Sequence, residues 1–91
     1  MHAVVVRVTV NDEAAGRKML AEEVVPRASA APGFVAGYWT RSSSDSTGLS
    51  MVVFDTEEQA NAAKAMIEQG PPNPDAVTLE AVEVREVIES A

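Results

Sequence analysis

The residues of this chain with the greatest capacity for chemistry are Arg7, Asn11, Tyr38, Trp39 and Arg41. A guanidinium beside an electron-rich ring stabilises an anion that develops on it, and a Trp or Tyr offers a stacking face together with a polar handle. Each also has a structural reading: Arg7 as a rim salt bridge, Asn11 as a helix cap, Tyr38 and Trp39 as packing, Arg41 as the solvated end of a hairpin. There is one histidine and no cysteine. His2 stands at a chain end and reads as a solvated residue, since an imidazole that switches charge near neutral pH is not thereby a catalyst. The lack of Cys removes disulfides, thiolate metal sites and cysteine nucleophiles together, and fits a reducing cytoplasm. Glu80, Glu83, Glu86 and Glu89 fall on an alternating segment and read as a solvated face, not a metal cluster. Met19, Met51 and Met66 read as core filler.

The elements that must position these residues are clearest over positions 32–71. Residues 34–40 are rich in strand formers, residues 41–48 are a polar run that reads as a hairpin tip, and residues 49–54 form a short apolar segment suited to a central strand. Thr56 and Gln59 have the spacing of a capping box, and Glu57 and Glu58 offset the positive end of the helix dipole. Gly70 permits a left-handed cap and Pro71-Pro72 cannot continue a helix. The inner face of this helix is Ala60, Ala63, Met66 and Ile67.

At the start of the chain, Val4, Val6, Val8 and Val10 share one face of a strand, with Val5, Arg7 and Thr9 on the other. Asn11 or Asp12 can cap the helix that follows, whose stripe is Ala14, Ala21, Val24, Val25 and Ala28 with Leu20 beside it. Pro26 has no N–H to give Glu22 and predicts a kink or an end near Val25, with any continuation finished before Pro32-Gly33. Residues 77–88 are a long final strand with Val82, Val84 and Ile88 on one face, its glutamates guarding an edge against unwanted pairing.

Composition bounds the rest. Ninety-one residues, 46% of them hydrophobic, make one domain spanning 1–91 with a small core, marginal enough for a partner copy to help. A net charge of -7 repels phosphate backbones, so nucleic acid is not an expected partner. No apolar run approaches the roughly 20 residues of a membrane span, and the N-terminus lacks the basic region of a signal peptide. The expectation is a cytoplasmic protein that engages no membrane.

Strand, helix, strand, strand, helix, strand is the ferredoxin-like βαββαβ order, an α+β fold with two helices on one face of a four-stranded antiparallel sheet. The other face is expected to carry Val5, Arg7 and Thr9 with Ser50, Val52 and Phe54, a mixed apolar surface that marks an interface or a groove.

Pro32-Gly33-Phe34-Val35-Ala36-Gly37-Tyr38, entering the second strand, and Val53-Phe54-Asp55-Thr56-Glu57-Glu58-Gln59-Ala60, passing from the third strand to the second helix, resemble the antibiotic biosynthesis monooxygenase domain and its dimeric α+β barrel relatives. The likeness spans nearly the whole chain. It implies a homodimer whose sheets pair face to face, with a pocket between sheet and helices in each subunit. It implies also a small aromatic or polyketide-like ligand and, in the enzymes of the family, monooxygenation without a cofactor. Such a reaction requires an aromatic to be bound, deprotonated and shielded as its anion. Arg7, Asn11, Tyr38, Trp39 and Arg41 are the candidates for that work, and Phe54, on the expected barrel face, joins them as a substrate contact.

The haem-degrading branch of the family uses a His on the second helix, an Asn in the first strand and a Trp where the third strand ends. Here that helix has no His, the first strand has Val and Arg, and Phe54 stands in the Trp position. No metal and no haem are therefore expected. Other users of this topology fit less well. An RNA-recognition domain wants basic and aromatic residues on the third strand, where residues 49–54 have one aromatic and no base. An acylphosphatase wants an anion cradle where Asn11-Asp12-Glu13 is acidic. An amino-acid-sensing regulatory domain shares the topology, and the alternative to the enzyme reading is a non-catalytic ligand-binding or oligomerisation module.

Overall fold

A computed structural model covers residues 1–91. The first strand, β1 (His2–Val10), runs through the middle of a four-stranded antiparallel sheet of order β2-β3-β1-β4, with β2 at Phe34–Arg41, β3 at Thr47–Phe54 and β4 at Val77–Glu86. The fold is the expected ferredoxin-like α+β arrangement. The final strand ends at Glu86 rather than at Ile88, which is solvent-exposed because no neighbouring strand extends that far.

Register assigns the faces. His2 lies opposite Phe54, Val4 opposite Val52 and Val84, and Val6 opposite Ser50 and Val82, so these residues share one side of the sheet. That side carries the core: Val4, Val6, Val52, Phe54 and Ala60 pack together, with Phe34, Trp39, Ala63, Ile67 and Leu79 against them. Phe54 is 2% exposed and meets Phe34 edge to face at 6.5 Å between ring centroids. The expectation that Ser50, Val52 and Phe54 face away from the helices is therefore corrected. Residues 49–54 are apolar on both parities, and the alternation is decided by pairing with β1, whose valine face the helices cover.

The open side of the sheet is formed in rows across the strands: Tyr38, Met51, Val5 and Glu83, then Thr40, Leu49, Arg7 and Ala81. Tyr38 is 68% exposed, and Leu49, Met51 and Val35 are exposed beside it. Met66 is exposed as well, so of the three methionines expected in the core only Met19 is there, packed with Ala76 and Val77. Met51 lies on the open face of the sheet, and Met66 is exposed on α3.

The first helical arm begins with α1 (Glu13–Met19), capped by the Asp12 carboxylate, which accepts from the Ala15 N–H at 3.0 Å. Asn11 is not the cap: its Nδ2 donates to Thr78 Oγ1 at 2.9 Å. The arm continues through a π-helical segment, Leu20–Val24, into α2 (Val25–Ser29). The helical geometry changes at Val25, next to Pro26, where the Val25 N–H reaches back to the Leu20 carbonyl in a wider π turn, and the arm is finished at Ser29, before Pro32-Gly33, as expected. The extra residue in that turn also shifts the helical phase. Gly16 and Met19 are buried and Leu20, Val24 and Ala28 half-buried, whereas Ala14, Ala21 and Val25, expected in the stripe, are exposed.

The second arm, α3 (Glu57–Ile67), carries the full capping box. Thr56 Oγ1 accepts from the Gln59 N–H at 3.1 Å and Gln59 Oε1 accepts from the Thr56 N–H at 3.2 Å. Gly33, at φ 80°, lets that Gln59 side chain lie against the backbone, where a Cβ would collide with it. Gly70, at φ 108°, ends the helical region as its sequence context requires.

Candidate functional site

A cavity of about 760 Å³ lies between the helix-covered side of the sheet and the two helical arms. Its cause is legible in two rows of side chains: Trp39, Ser50 and Val6, then Arg41, Gly48 and Val8. In each row the third strand supplies a very small residue between larger neighbours, so Ser50 and Gly48 form the floor of a depression with Trp39 as one wall. The roof is Met19, Leu20, Val24 and Ala28 from the first arm and Ala63, Met66 and Ile67 from α3. The volume falls within the range of about 300–1,000 Å³ typical of small-molecule sites.

Trp39 is held along the sheet rather than upright. A Cβ at Gly37, two residues earlier on the same face of β2, would stand 2.6 Å from Trp39 Cη2 and 2.8 Å from Cζ3, so the indole rests over the glycine backbone. Neither the Trp39 indole N–H nor the Ser50 hydroxyl has a hydrogen-bond partner within the protein, and both residues line the cavity as direct cross-strand neighbours. They are free to orient a polar substituent on an otherwise apolar guest.

Charge at the cavity is opposite in sign to that of the chain. Arg17, Arg27 and Arg41 line it, and Glu13 is the single acidic residue among the lining side chains. Glu13 lies between two of them, accepting from Arg17 Nε at 3.2 Å through Oε1 and from Arg41 Nη1 at 3.2 Å through Oε2. All three side chains are about half exposed or more, so they form a rim.

Of the residues singled out by type, Trp39, Arg41 and Phe54 are brought together at the cavity. Phe54 contributes its buried ring as inner wall on the helix side, not as a barrel-face contact. Arg7 and Tyr38 are on the open face of the sheet. Asn11 is engaged with Thr78 away from the cavity. His2 is less solvated than its terminal position suggests: its side chain is 20% exposed, Nε2 lies 3.2 Å from Glu57 Oε2, and Nδ1 is buried without a partner. The pairing of β1 with its neighbours carries it inside the sheet.

Glu13, Arg17, Arg27, Ser50 and Gly48 were not singled out by residue type. The Glu13–Arg17 spacing of four on a helix was a visible ion-pair signal. The convergence with Arg41 is made by the fold alone. No three or more His, Asp or Glu side chains gather in a way that could hold a metal ion, and no helix is long and apolar enough to cross a membrane. Compared with known proteins, the chain matches no family model, and no curated protein reaches significant similarity to it.

Proposed function

We propose that this protein binds an apolar, aromatic small molecule in the cavity between its sheet and helices, as a subunit of a homodimer whose open sheet faces meet in an α+β barrel. The observation that carries the binding reading is the cavity itself: about 760 Å³, floored by Ser50 and Gly48, walled by Trp39, with unpaired donors inside an apolar lining. Burial of a planar ring there is favoured by the hydrophobic effect, and the indole adds a stacking surface. The dimer reading rests on the exposed Tyr38, Leu49 and Met51 of the open face, with half-buried Val5 beside Met51, since an apolar patch of this kind marks a surface that pairs. Both readings agree with the resemblance to the antibiotic biosynthesis monooxygenase domain.

Within that reading, binding is favoured over catalysis by one observation. The cavity lining offers no His, Lys or Asp, and its one carboxylate, Glu13, is held by two guanidinium groups at the rim, so proton removal from a bound aromatic has no well-placed base. Cofactor-independent oxygenation is the second reading, supported by the family likeness and by guanidinium groups able to stabilise an anion. Oxygen consumption with a reduced anthrone-type substrate separates the two. A rate above buffer that Ser50→Leu abolishes establishes an enzyme, and saturable binding with the buffer rate establishes a binder.

A further inference from the structure

The rim ion pairs point to the chemical class of the guest. In a chain of net charge -7, three of the seven basic residues line one cavity, accompanied by one of the fourteen acidic ones. That inversion of sign is not needed to keep the helix on the sheet, since Met19, Val77 and their neighbours already pack α1 against the sheet.

Resting on the cavity reading above, we propose that the guest is an amphipathic anion, a planar apolar body bearing a carboxylate or phenolate. Its charge is received by Arg17 and Arg41, and the Glu13 carboxylate is a built-in competitor for the same guanidinium groups. Glu13 presents one oxygen to each arginine, Oε1 to Arg17 Nε and Oε2 to Arg41 Nη1, both at 3.2 Å. A single bridging carboxylate therefore shows the spacing that a ligand carboxylate would use. Arg17 is on α1 and Arg41 at the end of β2, so the pair spans from roof to floor at one side of the cavity. Five N–H donors on each guanidinium leave capacity beyond the Glu13 contacts. The apolar body lies inward over Ser50 and Gly48 beside Trp39. Arg27, also on the lining and without an ion pair, adds to the positive potential that draws an anion in.

The competitor role makes an unusual expectation: removing a charged rim residue improves binding. Calorimetric titration with 2-naphthoate and its neutral analogue 2-naphthamide tests it. Glu13→Gln is expected to tighten 2-naphthoate roughly two- to fivefold, the scale of an exposed ion pair, and to leave 2-naphthamide unchanged. Arg41→Gln and Arg17→Gln are expected to weaken 2-naphthoate by a similar factor, again without moving 2-naphthamide. Added salt weakens the naphthoate alone. Thermal melts of each variant establish that it is folded, and the two arginine variants decide the matter if Glu13→Gln is not. The clamp is overturned, with the cavity reading intact, if both probes bind the wild-type protein alike and the three variants change neither. It is overturned together with the cavity reading if neither probe binds at all.

Discussion

Trp39 lies over Gly37, its indole filling the space that any side chain at position 37 would occupy. The two residues share the helix-facing side of β2, and the absence of a Cβ lets the ring lie along the sheet as a cavity wall. Gly37→Ala must therefore move the ring. The expected result is an altered near-UV circular dichroism band and Trp emission, with a loss of stability of roughly 1–3 kcal/mol as for other overpacked sites. An unchanged tryptophan spectrum would show that the indole does not rest there.

Phe54 anchors the other end of the same surface. Its ring is almost fully buried against Phe34, Val4 and Ala60. Phe54→Ala is expected to cost about 3–5 kcal/mol, a large share of the 5–15 kcal/mol typical of a small domain. Urea unfolding measures it through a lowered midpoint. Phe54→Asp should prevent folding, because an unpaired carboxylate in this dry position has nothing to receive it.

The hairpin tip carries the one clear pKa displacement. The Thr47 hydroxyl and then the Thr47 N–H donate to the Asp45 carboxylate, at 2.6 and 2.9 Å, and hold its pKa below the ordinary 3.8. A depressed carboxyl pKa adds stability that is present above the unfolded value and is lost as pH falls through the folded one. Carboxyl NMR titration should find Asp45 below the usual range, and Thr47→Val should bring it back up. Since Asp45 is fully solvated, the effect stays local to the turn.

The proposed pairing of open sheet faces is tested by mass. Sedimentation at micromolar concentration should give about 19 kDa, twice the 9.6 kDa chain, as expected of a closed two-fold pair. Met51→Lys, at an exposed position beside Val5, should leave the monomer folded and dissociate the pair. A wild-type monomer, stable and without binding of a surface dye, would contradict the barrel.

The alternation of Val4, Val6, Val8 and Val10, the capping box at Thr56 and Gln59, and the stop at Gly70 are local signals, and each specifies the structure found. The faces of β3 were not local. Leu49, Met51 and Val53 are as apolar as Val52 and Phe54, so only the pairing with β1 distinguishes them. Ser50, the polar residue of the segment, is carried to the inner side by that pairing and is tolerated there because it lines a cavity rather than a packed core. The rim was hidden for a related reason: Glu13 and Arg41 are 28 residues apart, and only the fold brings the end of β2 within reach of the first turn of α1. Trp39 and Arg41 were found by residue type, whereas Arg7 and Tyr38, equally suitable by type, fall on the other parity of their strands.

The most direct test is where a ligand lands. In amide-resolved NMR titration with 2-naphthamide, the account predicts saturable shifts at Gly16, Gly48, Ser50, Ala63 and the Trp39 indole N–H, all of which line the cavity. Ser50→Leu, which fills the floor, should abolish them while the fold is kept. Shifts confined to Tyr38, Met51 and Val5, on the open face, would contradict a binding site between sheet and helices.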